Sequence, residues 1–192
     1  MKIGLYFGSF NPIHNGHLAI ACFCKQKALF DQIWMMVSPN NPLKEKNELV
    51  NENHRLNMVK LAIREFPFLH ACDAEFSLPL PSYTINTLHH LEKQYPTYLF
   101  SLILGEDNME NFHKWKCYEE ILGQFIIYVY PRSRDNIQKK MAHPHIIFFD
   151  APLLPVSASE IRSLLQQKKS VSHYIPQSVS KYIETQRLFT IS

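Results

Sequence analysis

The 192-residue chain lacks the features that define several large classes of protein. No apolar run reaches the length of about 20 residues that a membrane-spanning helix needs, and the first residues show no signal-peptide pattern. There is also no internal repeat, linker or low-complexity segment. We therefore expect a cytoplasmic protein that does not enter a membrane. Residues 1–192 are predicted to form a single domain, with a C-terminal helical part over about 157–192.

Cysteine is scarce, and the four cysteines do not form a C-x-x-C pair. Cys22 and Cys24 lie in an apolar run that is typical of a helix, and Cys72 and Cys117 lie far from them in the sequence. This spacing does not fit a metal or redox motif. It predicts buried free thiols in a reducing compartment.

Charge of one sign is not concentrated anywhere in the chain. The formal net charge is +3, and the tightest basic pairs are Lys139-Lys140 and Lys168-Lys169. Each pair is typical of a solvated helix end and is too small for a nucleic-acid footprint. The charge therefore favours a small anionic substrate over a nucleic acid polymer.

Two common nucleotide-binding motifs are missing, namely G-x-x-x-x-G-K-[ST] and G-x-G-x-x-G. The first motif cradles phosphates in Walker-type sites, and the second binds dinucleotides in dehydrogenases. A phosphate site in this chain must therefore be built in another way.

Short apolar runs alternate with segments of helical periodicity. Runs that are almost continuously apolar are typical of strands buried on both faces of a parallel sheet. The alternation predicts an α/β fold with a Rossmann-like parallel sheet, helices on both faces and a short C-terminal helical extension. The predicted strands are residues 2–7, 32–37, 98–104, 125–130 and 146–149, with a weaker one at 70–76. The predicted helices are residues 18–29, 54–65, 84–94, 157–167 and 178–186.

The first candidate site follows the first predicted strand. Gly8 and Gly16 allow the backbone to approach a ligand closely, and His14 and His17 lie at the start of the next helix. Helix N-termini favour anions, and ligands of parallel sheets bind beyond the carboxyl ends of the strands. The pair therefore fits a phosphate site, but it fits a capping loop with two surface histidines equally well. A zinc site is disfavoured, because no third ligand has matching spacing.

The second candidate site begins at Ser157. Ser157 and Glu160 have the spacing of a capping box, which predicts a helix start. Arg162 then lies on the first turns and can add a guanidinium to an anion site. Alone, the segment would fit a simple cap and a surface ion pair. Together with the histidine segment, it predicts two facing helix N-termini that hold a triphosphate.

The two segments together resemble the nucleotidyltransferase superfamily that carries an H-x-G-H motif. His14-Asn15-Gly16-His17 resembles its first signature, and residues 156–162 resemble its second, I-S-[ST]-x-x-[RK]. Within the superfamily, further stretches resemble the family of bacterial nicotinate-nucleotide adenylyltransferases, in the expected order over nearly the whole chain. These stretches are residues 39–42, 81–84 with Thr87-Leu88, 105–107, 112–115, and 174–176 with Val179 and Tyr182-Ile183.

The resemblance implies an enzyme of NAD biosynthesis that transfers AMP from ATP to nicotinate mononucleotide, with Mg²⁺ carried by ATP and no metal ligand in the protein. It implies that His14, His17 and Arg162 are catalytic. It gives Arg132 no catalytic role. The residues that it implies for ATP are Gly8, Ser9, Phe10, His14, His17, Gly105, Asp107, Ser157 and Arg162. Those that it implies for the pyridine nucleotide are Tyr83, Thr84, Trp115 and Lys44, with Trp115 stacked on the ring.

Several alternatives stay open at this point. Adenylyltransferases for nicotinamide mononucleotide or phosphopantetheine share both phosphate signatures. An enzyme that acts on phosphopantetheine would not need residues 81–84 together with Trp115. A class I aminoacyl-tRNA synthetase is disfavoured by the short chain and by the lack of a K-M-S-K-S-like loop. A nucleotide-binding regulator without catalysis is an alternative of a different kind. Assembly into a homo-oligomer is also left open.

Overall fold

The computed structural model describes residues 1–39, 49–131, 142–151 and 156–190. In these residues, six strands form one parallel sheet with the order β3-β2-β1-β4-β5-β6. The order reverses between β1 and β4, which is the topological switch point of a Rossmann-like sheet. The predicted α/β fold is confirmed. The strands are β1 (Lys2–Gly8), β2 (Gln32–Val37), β3 (Leu69–Cys72), β4 (Leu99–Gly105), β5 (Ile126–Tyr130) and β6 (Ile146–Phe148).

Helices cover both faces of the sheet. Alternate strand residues point to opposite faces, so Tyr6 joins the hydrophobic cluster under α1, α2, α6 and α7, whereas Leu5 joins the cluster under α3, α4 and α5. The sequence did not predict α4 and α5, because five and seven residues are too short to show helical periodicity. The helices are α1 (Asn15–Lys27), α2 (Glu52–Ala62), α3 (Thr84–Gln94), α4 (Glu106–Glu110), α5 (Tyr118–Gln124), α6 (Ala158–Gln166) and α7 (Gln177–Gln186).

The strand predicted over residues 70–76 is wrong in its second half. β3 ends at Cys72, and the chain then forms a 3-10 turn over Ala74–Ser77. In this turn the Phe76 N–H donates to the Asp73 carbonyl oxygen at 2.8 Å. The turn replaces further pairing with β2 and places the Glu75 side chain in the interior, where it is 2% exposed.

The prediction of buried thiols is correct for Cys24 and wrong for Cys117. All four cysteines are free, but Cys117 is exposed, and Cys22 and Cys72 are half-buried. Burial raises the pKa of the Cys24 thiol to about 12, which keeps it protonated and unreactive at neutral pH. Within the residues that the structure describes, no helix is both long and apolar enough to cross a bilayer.

Candidate active site

A cavity of about 650 Å³ opens at the carboxyl ends of the strands. Its walls include Ser9 after β1, Ser38 after β2, Glu75 after β3 and Tyr130 at the end of β5. Ligands of this fold bind at this edge of the sheet. The predicted site residues that line the cavity are Gly8, Ser9, Phe10, His14, His17, Tyr83, Thr84, Asp107, Trp115, Ser157 and Arg162.

Gly105 is the last residue of β4 and the N-cap of α4, and it is not among the residues that line the cavity. Its role as an ATP contact stays a prediction. Lys44 lies outside the described residues, as does Arg132.

His14 and His17 form a stacked pair at the start of α1. Their ring centroids are 3.6 Å apart with an interplanar angle of 27°, and His14 is only 4% exposed. The reading of two surface histidines is therefore wrong. The backbone N–H of His14 donates to His17 Nδ1 at 3.2 Å. Because Nδ1 accepts this hydrogen bond, the neutral His17 ring carries its proton on Nε2.

Gly16 is required by the position of the His14 ring. A Cβ atom at residue 16 would lie 2.9 Å from His14 Nδ1 and 2.8 Å from Val156 Cγ1. Both distances are shorter than a carbon can approach without displacing its neighbour. The glycine between the two histidines therefore leaves room for His14 and for the segment that precedes α6.

The capping box predicted at Ser157 is present. Ser157 Oγ accepts from the Glu160 N–H at 3.2 Å, and the Ser157 N–H donates to Glu160 Oε2 at 3.0 Å. One turn later, Arg162 Nη1 donates to the Asn11 carbonyl oxygen at 3.1 Å. The two predicted helix N-termini are thus brought together at one end of the cavity, and Arg162 joins α6 to the loop that leads to His14.

Arg55 is a structural residue of the site that the sequence analysis missed. It is 1% exposed, and its guanidinium donates to the carbonyl oxygens of Ser9, Ser38, Pro39 and Val50 at 2.7–3.0 Å. Burial lowers the pKa of Arg55, and the Glu52 carboxylate offsets part of that shift. Arg55 ties the loops after β1 and β2 together beneath the cavity.

A signal for Arg55 was present in the helical pattern. Residue 55 lies four positions before Val59 and seven before Ala62, both of which are buried on α2. Positions i, i+4 and i+7 share one face of a helix. A charged residue on an apolar face is a candidate for a buried cation that binds backbone oxygens.

Glu75 and Thr87 form a second buried polar pair that was missed. Thr87 Oγ1 donates to Glu75 Oε1 at 2.8 Å, which joins the turn after β3 to the first turn of α3. Burial raises the pKa of the Glu75 carboxyl group, and hydrogen bonding from Thr87 and Ser38 opposes the shift. Thr87 belongs to one of the stretches that resemble the nicotinate-nucleotide adenylyltransferases. Its contact with Glu75 holds the segment that carries Tyr83 and Thr84.

An aromatic wall lies at the start of α3 and in the loop before α5. Tyr83 is the N-cap of α3, and Trp115 follows the 3-10 turn Phe112–Lys114. Trp115 packs against Phe112 with ring centroids 5.3 Å apart, so its indole is half-buried and still borders the cavity. The predicted pyridine-binding residues Tyr83, Thr84 and Trp115 therefore share one cavity with the histidine pair.

The fold and the site together define the class of this protein. Residues 5–164 match the model of the cytidylyltransferase-like family, a match that includes both the histidine segment and the start of α6. A solved structure titled "Plasmodium falciparum nicotinic acid mononucleotide adenylyltransferase complexed with NaAD" has the same fold. It has a TM-score of 0.82, 23% identity, and coverage of 98% of this chain and 97% of the other.

Sequence relatives define the particular family. A Flavobacterium psychrophilum protein named "Probable nicotinate-nucleotide adenylyltransferase" is 48% identical over 186 residues, which cover 96% of each chain. A Cytophaga hutchinsonii protein with the same name is 43% identical over 190 residues, which cover 99% of each. The chain belongs to the nicotinate-nucleotide adenylyltransferases of the cytidylyltransferase-like family.

Proposed function

We propose that the chain transfers AMP from ATP to nicotinate mononucleotide and releases pyrophosphate, which makes nicotinate adenine dinucleotide for NAD biosynthesis. The observation that carries the proposal is a shared cavity. Its walls hold two histidines and an arginine at paired helix N-termini, and an aromatic wall formed by Tyr83 and Trp115. A triphosphate and a pyridine nucleotide need these two kinds of surface side by side.

The phosphate end is built from fixed donors. His17 carries its proton on Nε2 when neutral, and Arg162 presents a planar guanidinium beside the loop containing Asn11. The N-terminus of α1 adds the positive end of a helix dipole to the same place. Donors held in advance stabilise charge that develops on phosphate oxygens without reorganising during the reaction.

The reaction is an in-line displacement. An oxygen of the mononucleotide phosphate attacks the α-phosphorus of ATP, the bond to the bridging β-phosphate oxygen breaks, and pyrophosphate leaves with the electron pair. The attacking phosphate is already an anion at neutral pH, so the chain needs no general base. Its residues act by positioning the reactants and neutralising charge.

We further propose that Mg²⁺ enters as part of MgATP. Magnesium in such sites rests mainly on substrate phosphates and one or two carboxylates. The described residues contain no group of three or more histidine, cysteine or acidic side chains that could hold a metal. Asp107 lines the cavity, and we assign its carboxylate to the adenosine ribose of ATP.

The test compares three acceptors in separate reactions with MgATP, namely nicotinate mononucleotide, nicotinamide mononucleotide and phosphopantetheine. Pyrophosphate release is followed, and the dinucleotide product is identified by mass. The proposal predicts fast release with nicotinate mononucleotide. Release with phosphopantetheine alone would overturn the assignment of the aromatic wall. If the folded protein releases no pyrophosphate with any of the three acceptors, a nucleotide-binding regulator would be favoured.

A further inference from the structure

Lys116 is an exposed lysine on the wall of the cavity, and it belongs to neither phosphate motif. Its Nζ lies 4.7 Å from the centroid of the Tyr83 ring, which is within the range of a cation–π interaction. Trp115 precedes it in the chain and lines the same cavity. The structure therefore holds a positive charge against the aromatic wall.

The other lysine and arginine side chains that line the cavity in the described residues have different positions. Lys114 Nζ donates to Asn111 Oδ1 at 2.8 Å, within its own loop. Arg162 binds the Asn11 carbonyl oxygen at the phosphate end. Lys116 contacts the Tyr83 ring. Among the described residues, the acidic side chains on the cavity wall are Glu75 and Asp107.

We propose that Lys116 is a specificity-determining residue that selects a pyridine mononucleotide carrying a carboxylate over one carrying a carboxamide. The inference rests on the proposed function and assigns a preference to the same site. A carboxylate on a ring beside Trp115 and Tyr83 would accept a charge-assisted hydrogen bond from the Lys116 ammonium group. A carboxamide is neutral and would gain only an ordinary hydrogen bond.

The contact with Tyr83 also lowers the entropic cost of binding the carboxylate. A lysine loses considerable side-chain entropy when it is fixed by a ligand. Because the Tyr83 ring already restrains the ammonium group, less of this entropy is lost on binding. Lys116 remains exposed, so water and salt weaken its field. We therefore expect a preference of about two- to fivefold from this residue, and we expect salt to reduce it.

The experiment measures kcat/KM for nicotinate and nicotinamide mononucleotides at saturating MgATP. Four proteins are compared, namely the wild type, Lys116→Gln, Lys116→Arg and the matched control Lys114→Gln, which removes the same charge from the same loop. Lys116→Gln is expected to lower kcat/KM for the acid about two- to fivefold and to leave kcat/KM for the amide and the KM for ATP unchanged. Lys116→Arg should keep most of the preference, and Lys114→Gln should keep all of it.

Three outcomes would overturn the inference. An unchanged acid-to-amide ratio in Lys116→Gln would remove its basis. An equal fall for both substrates would place Lys116 on the phosphate that they share. An equal loss of preference in Lys114→Gln would show a general field effect of the loop. If the wild type uses neither mononucleotide, the proposed function fails as well, and this result differs from turnover with an unchanged ratio.

Discussion

Arg55 and Arg162 hold the same short loop from two different helices. Arg55 on α2 donates to the Ser9 carbonyl oxygen at 2.8 Å, and Arg162 on α6 donates to the Asn11 carbonyl oxygen at 3.1 Å. The loop between these contacts leads directly to His14. Segments that are far apart in the sequence thus hold the backbone that leads to the histidine pair.

Arg55→Lys should destabilise the protein. A lysine cannot reproduce the planar fork that reaches four carbonyl oxygens, so buried acceptors are left without partners. We expect a loss of roughly 2–4 kcal/mol in the free energy of unfolding, measured by urea titration. Arg64→Lys on the exposed surface near the end of α2 is the control and should change stability by less than about 0.5 kcal/mol. Equal stabilities of Arg55→Lys and the wild type would show that the network is dispensable.

Gly16→Ala should lower turnover while the protein remains folded. The new methyl group would meet His14 Nδ1 at 2.9 Å and must displace the ring or the Val156 side chain. A misplacement of about 1 Å in such a site lowers rates by about a hundredfold. The matched control is Gly123→Ala on α5, where a Cβ meets nothing within 4 Å. Steady-state rates for both variants, with circular dichroism as a folding check, test the prediction, which fails if the two rates agree.

Glu75→Gln should change how stability depends on pH. The folded state raises the pKa of Glu75 above its ordinary value of 4.5, so the native state binds this proton more tightly than the unfolded chain does. Wild-type stability from this group is therefore present below the unfolded pKa and is lost as pH rises through the folded pKa. Glutamine does not titrate. The free energy of unfolding of the Glu75→Gln protein, relative to that of the wild type, should therefore rise with pH.

Unfolding of both proteins in urea at pH 4.5 and pH 8 checks this sign. Other titrating groups cancel in the difference between the two proteins. A difference that stays constant with pH, or that turns against the glutamine variant as pH rises, would contradict the raised pKa of Glu75.

The fold was predictable because buried parallel strands have a strong local signature. β2 and α3 lie where the sequence placed them, at Gln32–Val37 and Thr84–Gln94. The capping box of Ser157 and Glu160 was predictable for the same reason, since both partners lie within one turn. The 3-10 turn after β3 was not predictable from a local pattern, because its residue Glu75 is buried and bonds to Thr87 on another element.

The candidate site was predictable only in part. His14 and His17 stand out as a motif, but their stacking depends on the space that Gly16 leaves beside the His14 ring. The spacing of Arg55 on α2 indicates that it is buried, but the sequence does not show which carbonyl oxygens it binds, because these lie in three separate segments. Lys116 contacts the ring of Tyr83, which lies on another element. The sequence alone therefore does not show its relation to the aromatic wall.

We propose that the histidine pair binds the ATP phosphates during transfer of AMP to nicotinate mononucleotide. The most direct test is the rate of pyrophosphate release from MgATP with that acceptor, measured for the wild type and for His17→Ala of confirmed fold. Loss of a fixed donor at the reacting phosphate should lower turnover by about two to three orders of magnitude. Near-normal turnover of folded His17→Ala would contradict the claim.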